Sequence, residues 1–201
     1  MSLLFGDNFI NNSEFLSGTA NNLCGIFYGT TTLIDASDLI LPALTCFNSC
    51  YNGMFRGCTN LQHGPKILPA TRPANACYSS MFEGCINLEE APEIRLTSMG
   101  DQSCQRMFCM NRNSKLTTPK LTKGPILRCT SGYSNCYKEM FKGNGNLVEV
   151  TCLLNDTINS TADWLTNCSS TGVLYKNPLK TWLTGTSACP SGWTQVDYVE
   201  S

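Results

Sequence analysis

His63 and thirteen cysteines are the residues of this 201-residue chain whose types could carry covalent or metal chemistry. A thiolate beside an imidazole would make a hydrolase nucleophile, but it needs a positioned base and a depressed pKa. His63 is the only histidine, so a multi-histidine metal centre is excluded. Its counterparts at successive internal periods are Glu90, Thr118 and Glu149, which share no chemistry with it. An odd number of cysteines cannot pair completely within one chain. Zinc knuckles want two close cysteines, and Cys46 with Cys50 or Cys104 with Cys109 are the nearest approaches. Both fall in or beside positions that packing explains, so the thiols read as buried small apolar groups. No catalytic residue, metal or cofactor is expected.

The elements that position these residues follow from a repeat. Cys50-Tyr-Asn-Gly-Met-Phe55-Arg-Gly-Cys58-Thr-Asn-Leu61 returns as Cys77-Tyr-Ser-Ser-Met-Phe82-Glu-Gly-Cys85-Ile-Asn-Leu88. Weaker copies surround Phe27, Phe108 and Phe141, giving steps of 28, 27, 26 and 33 residues. That period lies near the leucine-rich-repeat window, and the longest step reads as an insertion around Lys123 to Ser131. Cys-Tyr-x-x-Met-Phe places apolar groups at i, i+1, i+4 and i+5, the spacing of a short helical turn. The stretches Leu61 to Leu68, Leu88 to Leu96 and Leu116 to Leu121 are short and proline-punctuated, and read as brief strands. Such a unit is too small to fold alone and must stack on its neighbours. The expected fold is a repeat solenoid of about five coils, leucine-rich-repeat-like, built of short strands and short helical turns. Residues 1–22, with Phe5, Phe9 and Phe15, read as an N-terminal cap, 23–151 as the solenoid, and 152–201 as a last coil and C-terminal cap. Stacked equivalent cysteines project their Cβ atoms in parallel, whereas a disulfide needs them to converge to about 3.8 Å, which argues against a bridged ladder.

Composition excludes other classes. Net charge is −1 and only 14% of residues are charged, which removes the basic footprint of a nucleic-acid binder. No apolar run approaches the length of a membrane span, and the opening Met-Ser-Leu-Leu-Phe-Gly reads as neither a leader nor an anchor. Serine, threonine and asparagine together number 58, so neutral hydrogen-bonding groups build much of the surface.

The Met-Phe-x-Gly-Cys blocks, with Leu68-Pro-Ala-Thr71 and Ala91-Pro92, resemble the Bacteroides surface-protein-A type (BspA-like) of leucine-rich repeat. The likeness runs from about Leu23 to Tyr175, and Trp182-Leu-Thr-Gly-Thr-Ser-Ala-Cys-Pro-Ser-Gly-Trp193 resembles the ending attached to such arrays. Two departures from the pattern lie in the third and fourth copies, where Cys109-Met-Asn-Arg-Asn-Ser-Lys115 lengthens the turn and Asn144 stands in place of the second cysteine. That family is known from surface proteins of gut bacteria and from proteins of their bacteriophages. The resemblance implies a non-catalytic binding or structural module, with no catalytic residue set to carry over.

Positions that vary between copies while the frame repeats are free to contact partners. They are Gln62, His63 and Lys66; Glu89, Glu90, Glu93 and Arg95; Thr117, Thr118 and Lys120; and Val148 and Glu149. The expectation is a bacteriophage virion component, a fibre, tail or decoration subunit, located on the virion. It would meet virion subunits or a host-surface glycan or protein, without nucleic acid or membrane insertion. A homo-oligomer is compatible with this, although no heptad specifies one. The alternative is a bacterial cell-surface adhesin; the remote alternative is a cysteine-dependent enzyme using His63.

Overall fold

Every fourth residue of the Met-Phe blocks is left-handed, and this decides what they form. A computed structural model describes residues 23–41, 43–111, 113, 115–116, 118–155 and 159–200. Ser49, Gly53 and Gly57 have φ of +57°, +59° and +75°, and Ala76, Ser80 and Gly84 repeat the pattern one coil later. A right-handed helix requires negative φ throughout, so the expected helical turns are not found: among the described residues there is no α-helix. Each block is instead a ribbon of consecutive tight turns. The amides of Asn52, Met54 and Arg56 donate three residues back, to Ser49, Tyr51 and Gly53, at 3.0 to 3.2 Å. The alternate amides of Ser49, Tyr51, Gly53, Phe55 and Gly57 donate to Asn75, Cys77, Ser79, Met81 and Glu83 of the next coil at 2.8 to 3.0 Å. Every left-handed residue just named therefore has its N–H satisfied. Residues as ordinary as Arg106 and Glu139 hold φ of +56° and +53°, a strain of about 1–2 kcal/mol each that their bonds to Lys138 and Ala162 offset.

After the Phe27 ribbon the chain makes only isolated bridges, from Asp35 to His63 and from Thr45 to Arg72; from the Cys50 ribbon onward each coil extends into one short strand. In order these are β1 (Ile67–Leu68), β2 (Glu93–Ile94), β3 (Lys123–Leu127), β4 (Glu149–Cys152), β5 (Gly172–Lys176) and β6 (Trp193–Asp197). All pairings are parallel, as successive coils of one hand require. The result is a parallel β-solenoid of about five turns. β1 and β2 form one sheet, and β3, β4, β5 and β6 a second. The parting between β2 and β3 has a local cause: β3 contains Pro125, which has no N–H, and its register shifts between Lys123 and Ile126. Since Lys123–Leu127 is a strand, the expected insertion there is corrected. The extra length precedes the strand, between Phe108 and Lys123, where 116–121 contributes a single bridge from Leu116 to Asn144 in place of the expected strand.

The core is a column. Phe27, Phe55, Phe82, Phe108 and Phe141 stack with ring centroids 5.4 to 5.6 Å apart and planes within 7°. Trp164 continues the column at 6.3 Å, and Trp182 stacks on Trp164 at 5.1 Å. In the expected C-terminal region β5 and β6 thus prolong the sheet, and Trp164 and Trp182 prolong the aromatic column. Asn60, Asn87 and Asn146 donate side-chain amides to the carbonyls of Thr31, Thr59 and Pro119 in the preceding coil, at 2.8 to 2.9 Å. The N-terminal segment 1–22, including Phe5, Phe9 and Phe15, lies outside the described residues. Among those described, no helix is long and apolar enough to cross a membrane.

Candidate functional site

The strand of each coil turns alternate side chains inward and outward. Leu68, Ile94, Leu127, Val150 and Leu174 enter the core, while Ile67 stands outward beside Glu93, and Lys123 beside Glu149. The register corrects one sequence expectation: the partner of Glu149 is Lys123, not Thr118, because β3 begins later than the period suggests.

The residues singled out from the sequence lie on this strand-side flank, apart from Thr117, which falls outside the described residues. Gln62 is half-buried, and its main chain links two coils, accepting from Glu89 at 3.0 Å and donating to Ile34 at 2.8 Å. His63, Lys66, Glu90, Thr118 and Val148 are exposed. Others are tied to one another. Lys120 reaches Glu89 on the neighbouring coil at 2.9 Å, Arg95 clasps Glu93 at 2.9 Å, and Lys123 pairs with Glu149 at 2.7 Å. Hydrogen bonds from Lys120 and Arg95 hold the Glu89 and Glu93 carboxyls below the usual carboxylate range, and Glu149 pushes the Lys123 ammonium up. Asp35 is likewise lowered, first by the Ser37 amide and then by the nearby His63 and Lys66. Exposed pairs of this kind are screened by salt, so they order the flank without closing it.

A groove of about 590 Å³ opens where the sheet parts. Glu89, Glu90, Pro92 and Glu93 form one wall; Lys123, Pro125, Ile126 and Arg128 form the other. A second depression of about 410 Å³ shares Lys123 and Ile126 and continues past Glu149 and Thr151 to Tyr175, Asp197 and Tyr198. One wall therefore offers carboxylates and the other cations, with apolar surface on both, and the strip continues into the second depression. Arg128, Tyr175 and Tyr198 were not singled out from the sequence. The alternating Gly-Val-Leu-Tyr-Lys run of β5 was the available signal, obscured by its place beyond the regular repeats.

The structure brings Cys46 against Cys50 and Cys77, within side-chain hydrogen-bond reach and inside the core. All thirteen are free thiols, and every one but Cys24 is buried. Burial pushes Cys129, Cys152 and Cys168 from an ordinary 9.0 up to about 12, leaving almost no thiolate at neutral pH. The small cleft at His63 is lined by Ser37, Gly64, Pro65, Lys66, Glu90, Ala91 and Pro92, without a cysteine. Among the described residues no group of three His, Cys, Asp or Glu side chains is placed to hold a metal ion.

Fold and flank define the class, a parallel β-solenoid with one accessible, mixed-polarity strand face. Compared with protein families, with curated proteins and with solved structures, the chain matches none of them.

Proposed function

We propose that this protein is a non-catalytic binding and structural module, a BspA-like leucine-rich-repeat array carried on a bacteriophage virion as a fibre, tail or decoration subunit. Its strand-side flank meets virion subunits or a protein or glycan of the host surface. The observation that carries this reading is the groove between β2 and β3, whose walls combine the coil-to-coil variable residues Glu89, Glu90 and Glu93 with Lys123 and Arg128. Variation is concentrated where the frame does not need it, and there the surface is concave and chemically mixed. An enzyme reading lacks this support, since the cleft at His63 contains no nucleophilic thiol.

Two measurements test the proposal. Peptide mass spectrometry of purified phage particles and of surface-shaved source cells should find the chain at stoichiometric level in the particles. Presence only on the cells would replace the virion reading with the adhesin one. Pull-down on host cells with Glu90→Lys and Arg128→Glu should weaken capture at least tenfold, and unchanged capture by both variants would remove the groove from the function.

A further inference from the structure

The two outer strands of the four-stranded sheet end it in different ways. β3 carries Pro125, a register shift and the exposed Lys123. Proline, irregularity and lysine are the devices that keep a sheet edge from pairing with another chain. β6 has no such protection. Its five residues pair with β5 in unbroken register, and its one charged side chain, Asp197, is already bonded to Lys176. Among the described residues no strand lies on its other side.

The backbone groups at that edge can be assigned. The Tyr198 amide donates to the Lys176 carbonyl at 2.8 Å, and alternate residues of a strand address opposite neighbours. Thr194, Val196 and Tyr198 therefore face β5, while Gln195 and Asp197 turn their N–H and C=O groups to the open edge. Only another extended polypeptide complements such a row. The spacing is also self-complementary. With a second β6 antiparallel and the two-fold axis at Val196, Gln195 meets the partner's Asp197 as a hydrogen-bonded pair. Val196 then meets the partner's Val196 in the close, non-hydrogen-bonded position. No like charges oppose one another, because each Asp197 faces a neutral glutamine and keeps its own lysine. Val196 is 39% exposed, an apolar side chain at the point a two-fold contact would cover. A two-fold, isologous contact is also closed, ending in a dimer rather than a filament.

We infer that the chain forms a two-fold dimer through antiparallel pairing of β6 with β6 of a second copy, joining two four-stranded sheets into one. The inference is independent of what the strand-side groove binds.

Light scattering of the full chain at about 100 μM, where even a micromolar contact is mostly formed, should give twice the 22.0 kDa chain mass. Val196→Lys places like charges on the axis, and Asp197→Pro removes an edge amide and the ion pair to Lys176 while leaving the backbone hydrogen bonds to β5 in place; each should return the chain to monomer. Val148→Lys, on the flank away from β6, should leave the dimer intact. Hydrogen exchange of the unaltered chain gives a reading that does not depend on how variants fold: the Gln195 and Asp197 amides should be protected at high concentration and lose that protection on dilution. A monomer at about 100 μM, a different multiple of the chain mass, a dimer untouched by both β6 variants, or edge amides that exchange freely would overturn the inference. A strand supplied only by another protein would appear as monomer here.

Discussion

The thiol of Cys58 donates to the carbonyl oxygen of Phe27, one coil away, at 2.9 Å. Cys85 repeats this on Phe55 at 3.0 Å and Cys168 on Phe141 at 3.2 Å. The Phe27 and Phe55 carbonyls already accept turn amides from Thr30 and Cys58, so the thiol occupies the second lone pair. In the coil where Asn144 stands in the cysteine's place, its side-chain amide reaches the Leu121 carbonyl at 3.0 Å. The position selects a small side chain with a donor, and sulfur is one way to supply it.

Cys85→Ala should therefore cost more than Cys85→Ser, although serine is the more polar. Alanine removes the donor and leaves a small void, a loss of about 1–2 kcal/mol, whereas serine keeps a hydroxyl donor and should lose less. Urea unfolding of the two variants measures the difference. Equal losses would reduce the cysteine to a filler of space.

Gly143 and Gly29 are both left-handed, at φ of +81° and +69°, but their surroundings differ. A Cβ on Gly143 would lie 2.2 Å from the Asn111 carbonyl oxygen, whereas Gly29 has nothing within 4 Å. Gly29→Ala should cost about 1 kcal/mol, from backbone strain alone. Gly143→Ala adds a clash with backbone that cannot rotate away, and should cost about 3 kcal/mol or more. Thermal melts that rank the two variants the other way would contradict the coil spacing at the lengthened coil.

The repeat and the core were legible in the sequence because stacking needs the same residue at the same place in each coil, and Phe55, Phe82 and Phe108 recur accordingly. The helical turn was misread for a physical reason. Inward pairs such as Cys50-Tyr51 and Met54-Phe55 satisfy a four-residue turn period as well as a 3.6-residue helix. Only backbone sign separates the two, and Ser80, Arg106 and Glu139 give no compositional warning of positive φ. The flank residues were legible as variable positions, but Lys123 and Arg128 were not. They fall in a stretch that looks inserted until the pairing of Lys123 with Glu149 shows it to be a strand.

Alkaline pH should unfold the protein well before its charge balance alone would. In the folded state Cys129, Cys152 and Cys168 hold their protons to about 12, against 9.0 for an ordinary thiol, because burial disfavours the thiolate. The folded state thus binds more protons than the unfolded one above pH 9. The stabilisation is fully present below about 9 and is lost as pH rises through about 12, at on the order of 1.4 kcal/mol per pKa unit for each thiol. Thermal melts under reducing conditions should be level up to pH 9 and fall steeply beyond it. A melting temperature unchanged to pH 12 would mean that these thiols are not desolvated.

Thiol reactivity distinguishes a packed column from a hidden active site. Cys24 is exposed and the other cysteines are buried, so an aromatic disulfide reagent should modify one thiol rapidly in the native protein and the rest only as the solenoid opens. Cys24→Ser should remove the fast phase. His63→Ala should leave all rates unchanged, because its cleft holds no cysteine and no buried thiol is offered a base there. A single fast thiol other than Cys24, slowed by His63→Ala, would restore the nucleophile reading. Rates that follow global unfolding for every buried cysteine would place all of them in one cooperative core, as the continuous phenylalanine column requires.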